Sequence, residues 1–247
     1  MTAPESWYAT RTLRALELLA FKPSSASEVA HALQVHPRTA RRLLGRLLED
    51  GYVTRTEGER RIYSPTMRLV ALAGQVVERS ELARLAASTV ERLHRETGLA
   101  AHLTVPSYQS VLCLVHCAGP MPEGTRPQLR ELVPSHCTAG GKALLAHRAE
   151  WRASVAAQGL ERYTERTIVD PSELEHEAAR IRARGFAIED REYRLTQRGL
   201  AAPVFDRAGE AVAALGVAGP VERLDTRTVA VAGPLATRLA ETLLSVS

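Results

Sequence analysis

The sequence predicts an α+β chain: a small winged helix-turn-helix unit, a helical joint, and a larger antiparallel sheet flanked by helices. Three observations carry this. The stretch VHPRTARRLLGRLLEDGYV (Val35–Val53) holds an amphipathic, arginine-rich helix. A short helix precedes it across a tight turn, and a hairpin pattern follows it. After Gly98 the hydrophobic period changes from helical to alternating. The expected boundaries are 1–65 for the winged unit, 66–80 for a linker helix and 81–247 for the second domain.

TRTLRALELLAF places Leu13, Leu16, Leu19 and Ala20 at helical spacing, the first helix of a three-helix core. SSASEVAHALQ opens with Ser25-x-x-Glu28, a capping box in which each side chain satisfies the other's backbone N–H, so a helix runs from about Ala26 to Leu33. Gln34, Val35 and His36 leave room only for a tight turn. In the next helix, at about 100° per residue, Ala40, Leu43, Leu44, Leu47 and Leu48 share one arc while the arginines share the other. Pro37 suits the first turn, and Gly51 suits a left-handed C-terminal cap. GYVTRTEGERRIYS alternates around Glu57-Gly58-Glu59 and forms the wing.

Thr66 to Gly98 is nearly all helix-former and divides near Ser80. Leu69, Leu72, Ala73, Val76 and Val77 make an apolar stripe suited to dimerisation or to packing on the same chain. Strands follow at AAHLTVP and SVLCLVHCAG, joined by the turn Ser107-Tyr108-Gln109-Ser110. Further strands are expected at Phe186–Asp190, Leu200–Phe205 and Ala211–Val217. Helices are expected at Ala139–His147, Pro171–Arg184 and Asp225–Ser245.

The chain of 247 residues is 45% hydrophobic with a net charge of +4, enough for two domains with real cores and only mildly basic. Only Lys22 and Lys142 are lysines, so arginine richness is a habit of the whole chain and carries no weight by itself. No signal peptide and no run of roughly 18 apolar residues is visible. Three cysteines fit a reducing compartment better than a disulfide framework. A cytoplasmic protein without membrane contact is expected.

Two readings compete at the arginine helix. A charged face is usually only solvated surface. Its place as the second helix of a helix-turn-helix, beside a basic hairpin, favours DNA instead. Arg38, Thr39, Arg41, Arg42 and Arg46 would then enter or flank the major groove, and Arg55, Arg60 and Arg61 of the wing would grip phosphate.

HCTAGGKALLA (His136–Ala146), with RGFAIEDREY, LAAPVFD and GEAVAALGVAGP between Arg184 and Pro220, resembles the effector domain of IclR-type transcriptional regulators. RRLLGRLLEDGYV resembles the family's recognition helix and first wing strand, and the resemblance covers essentially the whole chain. It implies a GAF-like second domain that takes a small metabolite and a winged domain that binds double-stranded palindromic operator DNA. It also implies a homodimer or a dimer of dimers (a homotetramer), a repressor rather than an activator, and neither enzymatic activity nor a cofactor. Thr39 and Arg42 fall on matching family positions, whereas Arg38 and Arg41 are additions of this sequence. Gln34 replaces the glycine common in the turn.

The resemblance places Thr138, Ala139 and Gly140 in the effector loop, where N–H groups at a helix N-terminus suit an anion. It makes Glu189 a longer form of an acidic pocket residue. Gly199, Gly216 and Ala218 stand where relatives often carry a cysteine and two serines, and Gly140 where a larger aliphatic residue is common. Fewer donors and more room lead to the expectation of a bulky or aromatic organic acid rather than a small oxo-acid. The alternative is that these glycines serve backbone geometry. For Lys142 a structural role is expected rather than a Schiff base.

CLVHC invites a metal or thiol sensor built on Cys113, Cys117 or Cys137. Strict alternation would put Cys113 and Cys117 on one strand face and His116 on the other, so the three could not converge on a metal, and core packing is the simpler reading. No nucleophile elbow, phosphate loop or histidine metal motif points to an enzyme.

Overall fold

Ser25 starts the second helix as its spacing predicts: its Oγ accepts from the Glu28 N–H, and Glu28 Oε2 accepts from the Ser25 N–H at 2.8 Å. The computed structural model describes residues 3–58, 60–117 and 132–243. Glu59 of the expected wing, Ala118 and Gly119 of the expected second strand, and Ser245 of the expected last helix lie outside these residues. The chain forms two units, Met1–Arg79 and Ser80–Ser247.

The first unit runs α1 (Ala3–Phe21), β1 (Ser24–Ser25), α2 (Ala26–Ala32), α3 (Pro37–Glu49), β2 (Val53–Arg55), β3 (Ile62–Pro65) and α4 (Arg68–Glu78). Its antiparallel sheet has the order β1-β3-β2. Ala40, Leu44 and Leu47 of α3 pack with Val29 of α2 and with Ala15 and Leu19 of α1. Each buried leucine contributes roughly 1.5–3 kcal/mol, so the apolar arc holds the arginine arc outward. The expected stripe on α1 is corrected: Leu13 is 62% exposed and Ala20 is exposed, because the buried phase runs through Ala15 and Leu19. Gly51 takes φ +72° and stops α3. Thr66 Oγ1 donates to the Gly51 carbonyl at 2.7 Å, and the Arg68 guanidinium lies 4.5 Å from the centre of the Tyr52 ring. These contacts tie α4, the expected linker, to the winged unit. None of its residues is buried, and Val70, Leu72 and Val76 are exposed.

The second unit runs α5 (Glu81–Thr97), β4 (Ala100–Ser107), β5 (Ser110–Cys117), β6 (Leu132–Pro134), α6 (Ala139–His147), α7 (Ala149–Ala157), α8 (Pro171–Arg184), β7 (Ala187–Asp190), β8 (Gln197–Phe205), β9 (Ala211–Pro220) and α9 (Thr226–Leu243). Ser80 caps α5, where the helical stretch was expected to divide. The strands β1 and β6 and the helix α7 were not expected. The sheet is antiparallel with the order β6-β5-β4-β9-β8-β7. Leu103, Leu200 and Leu215 cover one face with α5 and α9. On the other, Val111, Ala201 and Ala214 pack with Ala143 and Leu144 of α6 and Ile181 of α8.

The alternation expected within CLVHC fails. Leu103 pairs with Val115, but Thr104 pairs with Cys113, so Leu114 is an extra residue in β5. Such a bulge reverses the inside-outside phase beyond it. Cys113 therefore faces the α6 side together with Val111 and His116, whereas Val115 and Cys117 face the α5 side.

Candidate functional site

The winged unit presents one basic surface. His36 caps α3 through Nδ1, which accepts from the Arg38 N–H at 3.2 Å. The turn before it bends at Gln34, which holds φ +51°. Arg38, Arg41, Arg42 and Arg46 are exposed along α3, and Thr39 is half-buried among them. Arg55, Arg60 and Arg61 are exposed on the wing. Arg41 meets Arg60 and Arg61 around a single depression that Ser25 and Tyr63 complete, so helix and wing share a cationic surface. Arg60 Nη2 reaches Glu28 Oε1 at 3.2 Å, so the glutamate that caps α2 also holds the wing.

The second unit holds a cavity of about 580 Å³, open mouth included, between the sheet and the start of α6. Thr138, Ala139, Gly140, Glu189, Gly199 and Ala218 all line it. Gly216 does not: a Cβ there would meet the Leu200 carbonyl oxygen at 2.2 Å, so this glycine permits close strand packing. Gly140 adds no room either, since a Cβ would meet Thr104 Oγ1 at 2.3 Å. Only Gly199 matches the expectation of added space, with Ala139 Cβ and Glu189 Oε2 at 3.4 and 3.5 Å from where its Cβ would lie. The enlargement expected at three glycines thus reduces to one, and backbone geometry explains the other two.

His102, Thr104 and Cys113 on the sheet, and Tyr193, Arg194 and Gln197 beyond β7, also line the cavity and were not anticipated. A signal for the first two was present, because His102 and Thr104 are the polar phase of AAHLTV. Tyr193 and Arg194 lie in a loop and Gln197 is the first residue of β8, so no periodicity could have placed them.

Glu189 is 3% exposed. Its Oε1 accepts from the N–H groups of Glu192 and Tyr193 at 2.8 and 3.3 Å. Burial pushes its carboxyl up to about 8, the neighbouring Glu192 adds to the rise, and the two N–H donors oppose it. At neutral pH the group is therefore mostly a protonated acid, able to donate to an incoming anion. The Thr138 hydroxyl donates to the Pro134 carbonyl at 2.6 Å and makes no cap, which leaves the first N–H groups of α6 without a side-chain partner. Burial, with His116 adding to it, pushes His102 down to about 4 and keeps the ring neutral.

Behind the cavity Lys142 is 2% exposed, with Nζ 2.5 Å from Glu192 Oε1 and 3.4 Å from Glu177 Oε1. Two carboxylates hold this ammonium inside the protein, a structural role that leaves no open side for a carbonyl substrate. Burial raises the Cys137 thiol well above the ordinary range, with Glu192 and Glu189 contributing. Cys113 and Cys117 point to opposite faces of the sheet.

Residues 74–243 match the family description "Bacterial transcriptional regulator IclR C-terminal". The chain belongs to the IclR family. Residues 16–67 of this IclR-family chain, within the winged unit, match the description "Sugar-specific transcriptional regulator TrmB". The chain is 32% identical over 223 residues to the HTH-type transcriptional regulator BhcR of Paracoccus denitrificans, covering 87% of this chain and 77% of that protein. It is 27% identical over 244 residues to the transcriptional repressor IclR of Escherichia coli, covering 94% and 86%. Among solved structures, an IclR homologue from Microbacterium hydrocarbonoxydans in complex with 4-hydroxybenzoate is 25% identical, with a TM-score of 0.76 and coverage of 97% and 100%. IclR-family proteins are transcriptional regulators and not enzymes. The winged unit is accordingly a DNA-binding head. No helix among the described residues is long and apolar enough to cross a membrane.

Proposed function

We propose that the chain is a cytoplasmic repressor whose hold on a palindromic operator is set by a bulky or aromatic organic acid in the cavity of its second unit. The observation that carries this is the cavity itself: a protonated Glu189 and the uncapped start of α6 border a floor of small residues, Gly199 and Ala218. A carboxylate accepts from the first two, and a flat apolar body rests on the third. The complex of the Microbacterium relative with 4-hydroxybenzoate supports an aromatic acid.

On DNA, Arg38, Thr39, Arg41, Arg42 and Arg46 contact or flank base edges, while Arg55, Arg60 and Arg61 hold phosphate. The exposed apolar residues of α4 pair two copies, as a dimer or as half of a dimer of dimers, and two heads then read the two half-sites. The acid shifts repression by as much as its affinity differs between the DNA-bound and free states.

Selection of duplexes from a random pool by the full-length protein tests the first half. An inverted repeat is expected to enrich, and Arg42→Ala is expected to abolish that enrichment while calorimetric binding of 4-hydroxybenzoate persists. Calorimetry tests the second half: a small oxo-acid that outbinds 4-hydroxybenzoate rejects the effector class.

A further inference from the structure

One polar group in the cavity remains unexplained by the recognition of an acid. His102 is 7% exposed and lines the cavity, and its Nδ1 has no hydrogen-bond partner among the described residues. A buried ring nitrogen left without a partner is costly, so in a ligand cavity it marks a place for a ligand atom.

Its position defines which part of the ligand it meets. His102 stands on β4 and Glu189 on β7, with β9 and β8 between them. Three strand spacings separate the two backbones by roughly 14 Å. Gly216 lies directly across from His102 on β9; two residues further along β9, Ala218 pairs with Gly199 of β8, which pairs with Glu189, so the two polar groups lie diagonally across the sheet. The polar groups thus stand at opposite ends of a floor without large side chains. A ligand that meets both is flat and carries polar atoms at its two ends.

We propose that His102 is a specificity-determining residue of the cavity, hydrogen-bonding a hydroxyl on the acid effector at the end remote from its carboxylate. This rests on the reading of the cavity as the effector site. Burial keeps the imidazole neutral against an opposing backbone hydrogen bond at Ala100, so the unpartnered Nδ1 carries no charge, which suits a hydroxyl better than a second carboxylate. A hydroxyl both donates and accepts, so it satisfies Nδ1 in either tautomer. The effector class is therefore a hydroxylated aromatic acid rather than a plain aromatic acid or a diacid.

Calorimetry on the full-length protein at pH 7, with benzoate and 4-hydroxybenzoate as probes, decides the matter. The wild type is expected to bind 4-hydroxybenzoate about 10-fold more tightly than benzoate. His102→Leu is expected to bring the two within about 2-fold, and His102→Gln, which keeps a neutral donor and acceptor, to retain part of the preference. Equal affinities in the wild type, or an unchanged preference in a folded His102→Leu, overturn the role of His102 alone. Binding of neither acid to the wild type overturns the effector reading and this role with it. If both variants fail to fold, wild-type protein labelled with nitrogen-15 histidine supplies the answer. An imidazole resonance that moves with 4-hydroxybenzoate but not with benzoate supports the contact, and its absence rejects it.

Discussion

Arg60 of the wing and Glu28 of α2 form an ion pair at 3.2 Å, and the same carboxylate caps its own helix through Ser25. Those hydrogen bonds from Ser25, with Arg60 assisting, lower the Glu28 carboxyl to about 2, so the pair persists across the working pH range. Arg60 is therefore shared between the fold and any phosphate the wing approaches. Glu28→Gln keeps a capping acceptor and releases the guanidinium. The expected result is tighter DNA binding, with a plot of log affinity against log salt steeper by about one unit, as one more phosphate contact requires. An unchanged slope in a fluorescence-anisotropy titration argues against a wing that touches phosphate through Arg60.

Gln34 occupies left-handed space at φ +51° in the turn between α2 and α3. A side chain there costs on the order of 1 kcal/mol relative to glycine. Gln34→Gly is expected to raise the stability of the protein by about that amount in chemical denaturation, while Gln34→Val lowers it. Operator affinity should follow stability only weakly, because the turn positions α3 without meeting DNA.

Gly140 and Gly199 line the same cavity for different reasons, and alanine separates them. Gly140→Ala drives a methyl into Thr104, a stiff β-branched neighbour, and is expected to cost about 1–3 kcal/mol in thermal or denaturant unfolding. Thr104→Ala in the same chain should recover most of that loss. Gly199→Ala meets only ordinary contacts and is expected to fold normally, but with weaker binding of aromatic acids.

Glu189 and His102, both buried, shift in opposite directions and contribute opposite pH slopes to stability. Glu189 is raised from 4.5 to about 8, so the folded chain keeps a proton that the unfolded chain loses, and stability falls as pH rises from 4.5 through 8. His102 is lowered from 6.5 to about 4, so the unfolded chain takes up a proton that the folded chain refuses, and stability falls as pH drops from 6.5 through 4. Below 6.5 the opposing slope of His102 is joined by His136 and His147, which burial also lowers, and above 6.5 the slope of Glu189 is joined by Glu192, which burial also raises. Denaturant midpoints are expected to decline between pH 6.5 and 8 in the wild type and to decline less in Glu189→Gln. Affinity for an acid ligand should weaken over the same window, because Glu189 then meets the carboxylate as a second anion.

The recognition helix was legible because two independent signals coincide in it: the leucine arc that buries and the Ser25 capping box that fixes the helix before it. The antiparallel sheet was legible from its alternation, and the loop that lines the cavity from a resemblance in long strings around Thr138. The bulge at Leu114 was not legible, since one surplus residue leaves no mark in so short an apolar run as CLVHC. Gly140 and Gly216 were misjudged because a glycine in a sequence signifies either room or close approach. Only the positions of Thr104 and Leu200 distinguish the two. Leu13 shows the same limit on a helix, where several leucines allow more than one phase.

The surplus residue in β5 turns one strand into a crossing between two compartments. Cys113 lines the cavity of the second unit, while Cys117, four positions on, sits against the core formed with α5 and α9. A thiol-reactive probe therefore samples two different events along a single strand. Labelling at Cys113 should be shielded when a ligand fills the cavity, whereas labelling at Cys117 should report the loosening of the helices on the far side of the sheet. Ligand occupancy and any movement it passes on to those helices can thus be timed separately within one molecule.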